Sequence, residues 1–143
     1  MRLRTRLLGL ACGVLAACNA SLDPTVSAPL ADAASVRLIW VDTGADWTSH
    51  LPLTEGYTAR IKVKLFVADG REIVPLPNPV QMTFAFTPVS FATTVTADSV
   101  LLLEDITPTD TAGAYGDLTI TLTESGTGTI KQFGPFLALI HEN

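Results

Sequence analysis

The sequence predicts an all-β fold: an antiparallel β-sandwich of seven or eight short strands over residues 36–143. Three observations carry that expectation. Apolar residues recur at every second position in several separate stretches, the period of a strand with one dry and one wet face. The segments between them are built from Gly, Pro, Asp, Asn, Ser and Thr, residues that turn a chain for definite steric and hydrogen-bonding reasons. No stretch beyond residue 17 shows a sustained helical period, and many short strands with turns between them argue for a sandwich.

Taken in order, the first strand is expected over residues 36–41, where Val36, Leu38 and Trp40 share one parity. The clearest covers residues 57–67. Tyr57, Ala59, Ile61, Val63, Leu65 and Val67 alternate with Thr58, Arg60, Lys62 and Lys64 before Phe66 interrupts the wet row. Asp69-Gly70 follows between two apolar runs, a hairpin signal because the tight turn needs positive φ. The prolines of Pro75-Leu76-Pro77-Asn78-Pro79 cannot donate to a ladder, so this segment reads as a loop or a sheet edge. Val80, Met82, Phe84 and Phe86 then alternate with polar or small residues, as do Leu118, Ile120 and Leu122. Further strands are expected over 91–96, 100–103 and 129–141, the last bent or bulged near Gly134-Pro135, with turns at 107–111 and 125–128.

The chain begins differently. Arg2, Arg4 and Arg6 precede an apolar run from Leu7 to Leu15, which is the order of an export signal and too short to span a bilayer. Leu15-Ala16-Ala17-Cys18 closes it and resembles the lipobox of bacterial lipoproteins. The resemblance implies removal of residues 1–17 and lipidation of Cys18 as the mature N-terminus. Asn19, in place of Asp, by the same resemblance implies sorting to the outer membrane. Residues 18–35, small, polar and proline-containing, read as the lipidated N-terminus and a flexible tether, ahead of a domain over 36–143.

Removing residues 1–17 leaves 126, enough for one domain with a real core. It also leaves six basic against fourteen acidic residues, about −8. Such a body offers no electrostatic footprint for nucleic acid or for anionic lipid head groups, and attachment to the membrane is expected to rest on the acyl chains at Cys18 alone. The only cysteines are Cys12 and Cys18, so the mature domain has neither a disulfide nor a free catalytic thiol.

Leu53-Thr54-Glu55-Gly56-Tyr57-Thr58-Ala59-Arg60-Ile61-Lys62-Val63, followed by Val67-Ala68-Asp69-Gly70-Arg71-Glu72-Ile73, resembles the front half of bacterial immunoglobulin-like domains. Ala112-Gly113 before the strand at 118–122 is similar to their later half. The cysteine pair and central tryptophan of antibody-type domains are absent. The resemblance implies adhesion, spacing or protein contact and supplies no catalytic residues.

Two chemical possibilities arise from the acids. Asp42-Thr43-Gly44, after Leu38-Ile39-Trp40, resembles the catalytic turn of retroviral-type aspartic proteases, where two such turns in a dimer share a proton between carboxylates. That resemblance would make Asp42 catalytic, with Thr43 and Gly44 shaping the turn. The expected later strand of two aliphatics and a glycine is met only by Gln132-Phe133-Gly134. Asp42 and Asp46, joined by Glu104, Asp105 or Asp110, offer carboxylates of the kind Ca²⁺ needs. His50 and His141 stand apart without metal-ligand spacing. The chemistry therefore points to a module that binds or supports other envelope proteins or glycans, without a cofactor, rather than an enzyme. For partner contact, Arg60, Lys62 and Lys64 form a stripe about 14 Å long at roughly 3.4 Å per residue, with Phe66 at its end. Trp47, in a polar stretch, is a further candidate as a loop plug or an exposed anchor, while Trp40 has the parity of a core residue.

Overall fold

The alternation read at residues 57–67 is realised over Ala59–Phe66 as a central strand around which a larger sheet assembles, while Tyr57, expected on the dry face, stands exposed before it. The computed structural model describes residues 23–143, so the export segment 1–17, Cys18 and residues 19–22 lie outside the described residues. Among the described residues ten strands run in chain order: β1 (Thr25–Val26), β2 (Ser35–Trp40), β3 (Leu51–Thr54), β4 (Ala59–Phe66), β5 (Glu72–Ile73), β6 (Val80–Thr87), β7 (Ala92–Asp98), β8 (Leu103–Pro108), β9 (Tyr115–Glu124) and β10 (Ile130–His141). A 3₁₀ turn, Leu30–Asp32, is the one helical element among the described residues.

In the larger sheet β2 lies along one side of β4, with Trp40 opposite Ile61 and Ser35 opposite Phe66. The other side of β4 is shared. β8 pairs with its first half, Ala59 to Lys62, and β5 meets it at Phe66. β7 edges β8, and β1 edges β5 in parallel. The second sheet has the order β3-β10-β9-β6. The sheets bury their alternate residues against each other: Leu38, Ile61, Val63, Leu65 and Ile106 from one, Leu51, Phe84, Leu118, Ile120, Leu122 and Ile140 from the other. The result is an all-β sandwich, and the order β2-β4-β8-β7 facing β10-β9-β6 is of immunoglobulin type.

Four differences from the sequence reading have physical causes. The sheets are mixed rather than purely antiparallel, because each takes one parallel pairing at its edge, β1 along β5 and β3 along β10. β2 stays antiparallel to β4, whereas β3 crosses over and runs parallel to β10, with Leu51 opposite Ala138. The strand expected at 100–103 is a turn, and the strand proper runs Leu103–Pro108. The Asp98 carboxylate accepts the N–H groups of Val100 (2.8 Å) and Leu101 (3.0 Å), closing the turn despite its apolar side chains. Trp47 is buried and stacks on Trp40, ring centroids 4.7 Å apart, so it plugs the loop and is not an exposed anchor. Lastly, the described part of the segment read as a tether packs on the sandwich. Thr25 and Val26 pair with Glu72 and Ile73, and Leu30 is fully buried with Ala28 and Ala33 beside it. Its small residues are those that fit beneath a sheet edge.

The expected hairpin at Asp69-Gly70 is present. Gly70 has φ +89, and the Val67 N–H donates to the Arg71 carbonyl at 3.0 Å. The bend near Gly134-Pro135 is a bulge between Phe133 and Phe136 in the β9–β10 ladder. The loops collect at two ends. The chain enters at Asp23 at the end that also carries turns 67–71, 74–79, 99–102 and 125–129. Turns 41–45, 55–58, 88–91 and 109–114 lie at the opposite end, as the strand registers require.

Candidate functional site

The Asp42-Thr43-Gly44 segment is a tight turn at the end of β2. Gly44, at φ +74, donates its N–H to the Trp40 carbonyl (2.8 Å), and the Trp40 N–H donates to the Ala45 carbonyl (2.9 Å). Thr43 Oγ1 accepts the Ala45 N–H at 3.2 Å. The chain then doubles back along β2, where the Trp47 N–H donates to the Leu38 carbonyl and Leu38 N–H donates to Thr48 Oγ1. Asp42 is exposed, and its charge adds to the field around the Arg60 guanidinium. The Asp46 carboxylate is engaged locally. It accepts the hydroxyl and the N–H of Thr48, which hold its pKa below the ordinary carboxylate value, and Arg37 approaches to 4.0 Å. Among the described residues no group of three or more His, Cys, Asp or Glu side chains converges as a metal site, so Asp42 and Asp46 are not joined by Glu104, Asp105 or Asp110.

The cationic stripe on β4 exists, but most of its charge is matched. Arg60 makes a two-pronged pair with Asp105 directly across on β8, at 2.7 and 2.8 Å, and that pairing lowers the pKa of the aspartate. Lys64 reaches Glu72 at 3.0 Å. Arg37, opposite Lys64 on β2, places its guanidinium 5.0 Å above the Phe66 ring. Among these cations Lys62 has no carboxylate within 4.0 Å among the described residues. Exposed pairs of this kind contribute about 0–1 kcal/mol each, so the pairing within the sheet adds little to stability.

Beside this stripe lies an open groove of about 490 Å³. It exists because the two partners of β4 on that side do not meet. β8 begins at Leu103, opposite Lys62, and β5 begins at Glu72, opposite Phe66, leaving residues 63–65 between them as a floor. The walls are the β5 end with its proline loop, Val74 to Pro79, and the turn Ser99 to Leu102, and Lys62 and Lys64 stand at the rim. Val100 is 85 % exposed, Leu101 53 % and Val74 49 %. The sequence pattern shows neither the groove nor its apolar rim, because the apolar residues 100–103 have the look of a strand.

One buried acid was also missed. Glu104 faces inward in the row Trp40, Ile61, Glu104, Thr96 that crosses four strands, and only 2 % of its surface is exposed. Burial pushes its carboxyl pKa up, against the opposing influence of the Thr96 and Thr94 hydroxyls. Its Oε2, like the indole Nε1 of Trp40 in the same row, has no hydrogen-bond partner. Only the parity of Glu104 with Ile106 could have marked it as inward-facing.

Comparison with protein-family models finds no match, and comparison with curated proteins finds no relative.

Proposed function

We propose that this chain is a lipid-anchored module of the bacterial cell envelope, acting by binding or by structural support of other envelope proteins or glycans. The observation that carries the reading is Leu15-Ala16-Ala17-Cys18 behind its arginines and apolar run. A single sandwich follows within a few residues. Cys18 would bear the acyl chains, and sorting to the outer membrane follows from Asn19. Two or more chains on one residue hold firmly, since each buried CH₂ contributes about 0.8 kcal/mol.

With the chain entering at one end of the sandwich, the opposite end is the surface presented away from the bilayer. Val41, Tyr57 and Val89 are exposed there, apolar and aromatic groups of the sort that a protein or glycan partner buries at the centre of a contact.

The test is metabolic labelling with radioactive palmitate followed by envelope fractionation. Wild-type protein should carry label and sediment with membranes. Cys18→Ser should lose the label and accumulate as uncleaved precursor. Unlabelled, soluble wild-type protein cut at another position would overturn the reading. Acid-pH peptide hydrolysis abolished by Asp42→Asn would replace it with the protease.

A further inference from the structure

The groove beside β4 lies at the end of the sandwich where the chain enters, and its rim is apolar. The turn Ser99–Leu102 closes the β7–β8 hairpin on that side, since Leu103 pairs with Lys62 and Ile106 with Ala59. Across the groove, Val74 donates its N–H to Val26 of the entering strand at 2.9 Å. Val100 and Leu101 are held outward by structure, not by slack. The Asp98 carboxylate grips both of their N–H groups, and Leu102 behind them is buried. Val100 and Leu101 thus present a fixed apolar edge to solvent.

The length of chain between Cys18 and the sandwich decides which partner. Residues 23 onward are bonded or packed: the Glu72 N–H donates to the Pro24 carbonyl at 2.9 Å, and Thr25 pairs with Glu72. From Cys18 to Asp23 there are five Cα steps, at most about 18 Å. If Cys18 is lipidated, as proposed above, the entry end of the domain, which carries the groove, stays within about 18 Å of the acylated residue. From this we infer that the rim formed by Val74, Val100 and Leu101 inserts into the lipid head-group layer, with Lys62 placed to meet a lipid phosphate. Lys64 is held by Glu72, which leaves Lys62 as the cation without a carboxylate partner among the described residues lining the groove. The occupant is therefore a phospholipid surface. Acylation and apolar rim would form a two-point attachment that fixes the orientation of the sandwich as well as its location.

The test uses the full acylated protein reconstituted into vesicles of phosphatidylethanolamine and phosphatidylglycerol. In the mature chain Cys18 would be capped, so a single engineered thiol takes an environment-sensitive maleimide dye. Val100→Cys and Val74→Cys should give blue-shifted emission, quenched several-fold more by nitroxide-labelled lipid than Val89→Cys at the opposite end. Adding Lys62→Glu should weaken the quenching at Val100→Cys. Mass spectrometry of the same vesicles reports whether Cys18 carries lipid. Acylated protein in which all three probes read as water overturns the rim contact and leaves the anchor standing. Protein without lipid on Cys18 overturns the anchor and the rim contact together. A melting temperature unchanged by each substitution shows that the probes report on a folded domain.

Discussion

Glu104 is a buried acid whose burial carries an electrostatic cost. Its carboxyl faces the interior beside Ile61, with Oε2 unpartnered. A buried polar atom left without a partner costs about 1–3 kcal/mol, and the charged form costs more than the neutral one. Burial therefore raises the folded-state pKa above the ordinary 4.5, and the neighbouring charge of Asp105 acts in the same direction. The linkage follows directly. The folded state holds the proton more tightly, so stability is full below pH 4.5, falls as pH rises toward the raised folded value and is flat above it. Each unit of upward shift is worth about 1.4 kcal/mol. Glu104→Gln removes the titration at nearly constant shape, and its melting temperature should exceed that of wild type at pH 7 and match it near pH 4. Thermal melts across that range check this. A variant less stable than wild type at pH 7 would mean that the carboxylate is satisfied there by a partner.

At the scale of elements, strands with a strict period of two were legible and the irregular joints were not. β4, β6 and β9 bury the residues that alternation marks, and the Asp69-Gly70 turn forms where the dipeptide stands. β3 was passed over because Leu51-Pro52-Leu53-Thr54 is only four residues long and carries a proline, tolerable on an edge strand. β5 is two residues long and has no period to read. The β10 bulge was legible as a place but not as a constraint. At Gly134, with φ +118, a Cβ would stand 2.6 Å from the Leu118 carbonyl oxygen, in a backbone region that L-residues rarely adopt. Gly134→Ala must therefore displace the β9–β10 ladder, the pairing that closes the second sheet. A loss of about 1–3 kcal/mol is expected, of the order of other strained backbone sites. Urea titration of the variant against wild type measures it. An unchanged midpoint would show that the bulge can relax without cost.

For the whole molecule, the domain begins earlier than composition suggests. Residues 23–34 have the small, polar, proline-containing look of a linker, and nothing in a one-dimensional pattern distinguishes a linker from a strap laid over a sheet edge. What distinguishes them is three-dimensional. Glu124, on β9, accepts the Leu30 N–H at 3.2 Å and the Thr127 hydroxyl at 2.7 Å. Those bonds lower its pKa below 4.5 and tie the strap to the far strand and its turn. The same strap shortens the reach from Cys18, so the position of the domain over a bilayer depends on a feature composition hides. Leu30 is the apolar half of the latch, fully buried in the core. Truncating a buried leucine to alanine costs about 2–5 kcal/mol, transfer and cavity together. For a chain of this size that is a drop in melting temperature on the order of ten degrees. Leu30→Ala measured by calorimetry should show it, with Asp32→Ala on the exposed side of the same turn as the control that does not. If Leu30→Ala melts with wild type, residues 23–34 detach freely, the reach from Cys18 lengthens, and the rim of the groove is no longer kept near the bilayer.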